Sequence, residues 1–246
     1  MLRIYPRYSA QDTKDYYKQA LSTSDYYSEK GEIIGQWRGQ TAEKIGLSDK
    51  VNEQQFNHLC DNINPVTEEK LTPRTNENRR VAYDFTFSVP KSISLAYAIN
   101  DDPQILEAFQ SSYLETMNLI EQNAETRVRV GGKKEERVTE NLLYSDYIHS
   151  TSRPLEDGTP DPHLHVHCVV MNVTYDDKEE KFKAVELGNV RRDAPFYQAY
   201  FNSLLADKLS KAGYDIVKTK DAFGLANVSR ETEMKFSRRT SEIEKM

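Results

Sequence analysis

Two stretches of the chain carry the period-two alternation of a β-strand most plainly. In residues 80–88, Val81, Tyr83, Phe85 and Phe87 fall on one side and Ala82, Asp84, Thr86 and Ser88 on the other. In residues 161–171, His163, His165 and His167 share one side and Leu164 and Val166 the other, before an apolar run through Cys168, Val169, Val170 and Met171. Residues 142–148 form a further apolar run, joined to the histidine strand by a loop that holds Gly158 and three prolines. That arrangement predicts an antiparallel hairpin. Shorter strands are expected at residues 2–8, 182–185, 214–218 and 223–228. Another hairpin is expected across Gly131-Gly132.

Helical spacing appears elsewhere. Ile105, Leu106, Phe109, Tyr113, Leu114, Met117 and Ile120 follow a 3.6-residue period after the start signal Asp101-Asp102-Pro103. Residues 194–212 predict a second long helix, stopped by Gly213. Short helices are expected at 41–45 and 53–60, and a last one from 231 to 246. Another begins near Lys91, with Ser88 as a possible cap and Pro90 in its first turn. Its start, at the end of a polar-faced strand, is a good place for a phosphate. Strands and helices in this order predict an α+β fold: a central antiparallel sheet with helices packed mainly on one face.

Composition changes this picture little. The 246 residues are 37% hydrophobic and 29% charged, enough for a substantial core. A net charge of −6 argues against a general polyanion binder, so any nucleic-acid contact must come from localised Arg and Lys. Two cysteines, Cys60 and Cys168, lie far apart and form no CxxC motif. With no signal peptide and no run of about 18 apolar residues, they point to a cytoplasmic protein with no membrane span.

The histidines change it more. Three of the five stand at alternate positions of one strand, which favours a metal site over an ordinary polar face. Alternate residues lie about 7 Å apart, so His165 and His167 can grip one ion whereas His163 and His167 stand too far apart to share it. The expected hairpin carries His149 back towards them as the third ligand. Three neutral imidazoles leave an ion its full charge and open positions for an anionic substrate such as a phosphate. On ligand softness they suit Mn²⁺, Zn²⁺, Ni²⁺ or Co²⁺.

Asp84, on the polar side of its strand, is a candidate proton acceptor or partner of a ligand histidine. Two tyrosine pairs, Tyr16-Tyr17 and Tyr26-Tyr27, occur near the N-terminus among fifteen tyrosines. On a helix, neighbours point about 100° apart, so one of each pair faces a given site. Beside a metal that binds phosphate, such a hydroxyl is a candidate covalent nucleophile.

These residues resemble the relaxase domain of MobF-type (TrwC/TraI-like) conjugative relaxases, a branch of the HUH endonucleases. The likeness is carried by residues 84–95 (DFTFSVPKSISL), 149–153 (HSTSR) and 161–167 (DPHLHVH), with both tyrosine pairs and Trp37-Arg38-Gly39 in the same order. It implies one relaxase domain over residues 1–246, the N-terminal part of a longer protein. It further implies nicking of single-stranded DNA beside a hairpin at a plasmid origin of transfer, through a 5′-phosphotyrosine and a free 3′-hydroxyl that are later rejoined.

By that resemblance Tyr16 is the first nucleophile and Tyr26 the second, with Tyr17 and Tyr27 as alternates. Asp84 is the active-site aspartate, His149, His165 and His167 hold Mg²⁺ or Mn²⁺, and Lys91, Arg153 and His163 contact DNA. His163 stands where the family commonly has glutamine, and the spacing between the tyrosine pairs is longer than usual. Relaxosome accessory proteins and a coupling protein are the implied partners. Two other functions compete: an HUH replication initiator, and a non-catalytic DNA-binding module with a structural metal. The initiator fits less well, because such proteins usually place their tyrosine after the histidine strand.

Overall fold

The structure, a computed structural model, describes residues 1–21, 35–73, 79–220 and 222–238. The second tyrosine pair, Tyr26 and Tyr27, and the end of the expected last helix lie outside the described residues. In chain order the elements are β1 (Leu2–Arg7), α1 (Ala10–Tyr16) running into a π-turn (Tyr17–Leu21), β2 (Gln36–Arg38), α2 (Gln40–Ile45), α3 (Glu53–Cys60), β3 (Ala82–Ser88), α4 (Lys91–Asn100) and α5 (Pro103–Gln122). There follow β4 (Glu125–Val130), β5 (Lys133–Val138), β6 (Tyr144–Thr151), β7 (Pro162–Met171), β8 (Thr174–Asp176), β9 (Lys181–Lys183) and β10 (Val185–Glu186). The last described elements are α6 (Gly188–Arg192), α7 (Ala194–Lys211), β11 (Ile216–Lys218), β12 (Phe223–Leu225) and α8 (Arg230–Lys235).

Five strands form the central sheet in the order β1-β3-β7-β6-β2, every neighbouring pair antiparallel. The predicted hairpin is β6–β7, and its register sets His149 directly opposite His165. Alternation then sorts the side chains. Tyr83, Phe85, Phe87, Leu164, Val166, Cys168 and Val170 enter one core, closed by α4, α5 and α7 through Ile93, Phe109, Tyr113, Met117, Phe201 and Leu205. The long helices thus lie on one face, as the apolar periodicity of 105–120 requires.

The opposite face is half covered. Short elements α1, the π-turn, α2 and α3 build a second core there from Tyr17, Leu21, Ala42, Ile45, Phe56 and Leu59, against Trp37, Leu143, Tyr147, Val169 and Met171. Among the described residues, the other half of that face, the histidine end, carries no such apolar layer. No helix among the described residues is long and apolar enough to cross a membrane.

Two local expectations change. Ser88 does not cap α4: Pro90 holds the cap position without a side-chain bond, and the Ser88 hydroxyl faces His163 Nε2 at 3.4 Å. Nor is the start of α4 open to a phosphate. Glu233 of α8 reaches across the sequence and accepts the Ser92 N–H at 3.1 Å, so a carboxylate already occupies that end. Alongside it, Arg238 ties down the β6–β7 loop, its N–H and Nε each 2.8 Å from the buried Asp161 carboxylate.

Candidate active site

Ser9 starts α1 by accepting the Asp12 N–H at 3.1 Å, and the helix ends at Tyr16, over the polar side of β3. There the Tyr16 hydroxyl donates to Asp84 Oδ2 at 2.8 Å and lies 3.1 Å from His167 Nδ1. His167 Nδ1 is itself 2.9 Å from Asp84 Oδ1. A carboxylate can only accept, so this nitrogen carries the proton and leaves Nε2 with its lone pair. Thr86 Oγ1 closes the group, 3.2 Å from His167 Nδ1. Arg7, on the neighbouring strand β1, contacts Asp84 Oδ2 at 3.3 Å, and its guanidinium lies 3.7 Å over the Tyr16 ring.

Electrostatics follow from this packing. Burial raises the Tyr16 phenol well above its ordinary range, the Asp84 charge and hydrogen bond raise it further, and Arg7 and Arg153 pull the other way. Burial would also raise Asp84, but hydrogen bonds and charge from His167, the Tyr16 hydroxyl and Arg7 outweigh it and hold the carboxyl below its usual value. At rest the pair is therefore a neutral phenol against an ionised carboxylate.

Beyond His167 the imidazoles stand close together. Ring centroids of His149, His165 and His167 are separated by 5.3, 5.7 and 5.1 Å. An imidazole bound at about 2.1 Å has its centroid about 3.2 Å from the ion, so three rings around one ion lie about 5 Å apart. His165 Nδ1 is 2.8 Å from the His163 carbonyl, which fixes its proton there and leaves Nε2 as a donor to metal. Burial and the neighbouring histidines keep His165 far below its ordinary value, hence neutral. The rings frame a space of the right size, although among the described residues no three donor atoms converge in a finished cage.

The remaining candidates separate. Tyr17, the alternate nucleophile of the resemblance, is buried in the second core, stacked on Phe56 at 4.6 Å and edge-on to Tyr147 at 6.0 Å. His163 packs on His165 at 4.6 Å, and burial, with the charges around it, lowers it to about 4. Lys91 is half-buried and donates to the Pro162 carbonyl at 2.8 Å, so it braces the start of β7 instead of reaching outward. Arg153 is exposed in the loop after β6. Arg7 and Thr86 escaped sequence reasoning as site residues. The parity of β1 could have found Arg7 once β1 was known to pair with β3.

A family model described as the TrwC relaxase matches residues 10–246. The chain belongs to the TrwC relaxase family. Within it, the multifunctional conjugation protein TraI of Escherichia coli is 30% identical over 216 residues, 84% of this chain and 11% of TraI. The chain thus spans about a tenth of the length of the curated relatives it matches. The conjugative relaxase TrwC, solved metal-bound with oriT DNA, is 29% identical with a TM-score of 0.85, covering 100% of this chain and 82% of that one. TrwC complexed with a 27-mer DNA comprising the recognition hairpin and the cleavage site gives 27% and 0.84, covering 100% and 81%. This relaxase-family chain shares with them the central antiparallel sheet flanked by helices.

Proposed function

We propose that this chain is the strand-transfer domain of a conjugative relaxase and nicks one DNA strand at a plasmid origin of transfer. The observation that carries this is the Tyr16 hydroxyl bonded at 2.8 Å to a buried carboxylate that also orients His167. Tyr16 Oη attacks the phosphorus, its proton passes to Asp84, and the P–O3′ bond breaks as the Oη–P bond forms. The 5′ end is left on the tyrosine, and the 3′ oxygen takes up a proton as a hydroxyl. Because the phenol sits high and the carboxylate low, proton transfer must accompany attack instead of preceding it. Arg7 and Arg153 lie where they offset the negative charge that develops.

His149, His165 and His167 would hold a divalent cation there, which when bound neutralises charge on the non-bridging phosphate oxygens. TrwC has been solved with copper as well as with a metal on oriT DNA. For this chain Mg²⁺ or Mn²⁺ is the working ion we assign, with Zn²⁺, Ni²⁺ and Co²⁺ compatible on ligand type. Single-stranded DNA and its adjoining hairpin are the substrate. Relaxosome accessory proteins and a coupling protein are the partners, and the bacterial cytoplasm is the place. Two buried free cysteines fit that compartment. Tyr26 serves the second transfer, and residues 1–246 form one domain of a longer protein. A replication initiator fits less well, since the tyrosine at the carboxylate lies in the first helix.

The test is incubation with Mn²⁺ and a labelled oligonucleotide spanning the chain's own transfer origin, scored for an adduct that survives denaturation. Wild type should form it and EDTA should abolish it. Tyr16→Phe should reduce it by about a thousandfold or more, because no other described tyrosine reaches Asp84. An adduct undiminished in Tyr16→Phe would sink the nucleophile assignment.

A further inference from the structure

Strand β1 carries more than Arg7. Its register pairs Arg3 with Thr86, Tyr5 with Asp84 and Arg7 with Ala82. Directly opposed residues project to the same side of an antiparallel pair, so Arg3, Tyr5 and Arg7 form a stripe on the face that bears Asp84, Thr86 and His167. β1 ends the sheet order, so among the described residues no further strand of that sheet lies beside the stripe. Arg7 is engaged with Asp84 and Tyr16. Tyr5 is not packed away: it is 52% exposed although its strand partner Asp84 is only 2% exposed. Arg3 is exposed too, its Nε 3.2 Å from Met1 Sδ, and among the described residues no carboxylate pairs with it.

A half-exposed aromatic ring between two guanidinium groups, one strand away from an attacking hydroxyl, selects a definite ligand chemistry. The ring offers a flat face, which an unpaired base can cover and a paired base, stacked on both sides, cannot. A free guanidinium about 7 Å along the strand offers charge for a phosphate. We infer that β1 is the track for the single-stranded segment beside the scissile phosphate, with Tyr5 as the platform for one base and Arg3 as a phosphate contact. This rests on the relaxase function proposed above and deepens it by naming how the strand is presented to Tyr16. Fixing one base next to the reacting phosphate would align the phosphorus with the phenol, so Tyr5 is a positioning residue and does not itself react.

The experiment uses the full chain and a fluorescent oligothymidylate of about 16 nucleotides, followed by anisotropy over a range of salt. Tyr5→Ala should weaken binding about tenfold to a hundredfold, and Tyr5→Phe should restore it, since stacking needs the ring and not the hydroxyl. Arg3→Gln should flatten the plot of log affinity against log salt by about 0.7, one phosphate contact on a single strand. Replacing thymine by 5-iodouracil and irradiating should crosslink the peptide that contains Tyr5. Equal binding by Tyr5→Ala and wild type overturns the inference, as does a Tyr5→Phe variant as weak as Tyr5→Ala. If the wild type still forms its covalent adduct in either case, the relaxase function stands without the β1 track. A wild type that forms no adduct removes the function and the track together.

Discussion

The Asp84 carboxylate receives the Tyr16 hydroxyl, faces the His167 Nδ1 proton and touches Arg7, so its loss acts on the proposed nucleophile and the proposed metal ligand at once. Asp84→Asn keeps the shape but removes the proton acceptor. Single-turnover cleavage should fall by about a hundredfold to ten-thousandfold. Affinity for Mn²⁺, measured by calorimetry, should fall by about ten- to a hundredfold as His167 loses its orienting partner. The pH dependence has a definite sign. A carboxyl depressed in the folded state stabilises the protein above its unfolded value of 3.8 and loses that contribution as pH falls through the lower folded value. Urea unfolding should therefore show a constant difference between wild type and Asp84→Asn from about pH 8 to 5, narrowing below about pH 4. Equal cleavage by the two proteins would show that Tyr16 loses its proton elsewhere.

At the scale of elements, the site depends on two structures that hold its parts from outside. The π-turn sends Tyr17 and Leu21 into the second core while Tyr16 stays at the sheet, so packing of that core sets where the phenol sits. Phe56 is fully buried against Tyr17. Phe56→Ala should cost about 3–5 kcal/mol of stability by chemical denaturation and lower the cleavage rate, acting on Tyr16 through the neighbouring Tyr17 on which Phe56 stacks. If stability falls while the rate does not, Tyr16 is held by α1 alone. This dependence was not legible in sequence. Helical geometry says that Tyr16 and Tyr17 diverge, but which one faces the carboxylate is decided by Phe56 and Tyr147, some 40 and 130 residues away. The period-two strands were legible, because alternation between an apolar core and a polar face is a local property of β3 and β7. Glu233 at the start of α4 was not, since its partner Ser92 lies on a different element and nothing in either stretch announces the pairing.

Across the whole molecule the sheet divides two tasks. One face is sealed by α4, α5 and α7. The other is split between an apolar half that anchors α1 and a polar half that carries Asp84, His165 and His167. The chain carries a net charge of −6, whereas Arg7 and Arg153 act on Tyr16 and Arg3 lies further along the same strand as Arg7. Fold class was readable because few architectures bury such strands under such helices. The second, smaller core was not, because it is assembled from short elements far apart in sequence, and α1 and α2 are each too short to show a periodic face. Both thiols lie within the packed interior, and burial pushes Cys60 up to about 12. At pH 8 the native protein should therefore react only slowly with a thiol-specific disulfide reagent, and unfolding in guanidinium should release both thiols. Rapid titration of either in the native state would mean that its core opens readily.

The cross-strand match of His149 with His165 sets a rule for how such a chain can gain or lose residues over time. Removing one residue between Tyr144 and His149 would shift His149 into the register position of Ile148 and Ser150 into that of His149, placing an imidazole under the long helices and a serine opposite His165. Residues added near Gly158, where the backbone turns at φ +79° with nothing within 4 Å of an added Cβ, leave that match untouched. Variation in length should therefore collect at the loop tip and be purged from the strand, and a library of single-residue insertions scored for DNA transfer would map that boundary to within a residue.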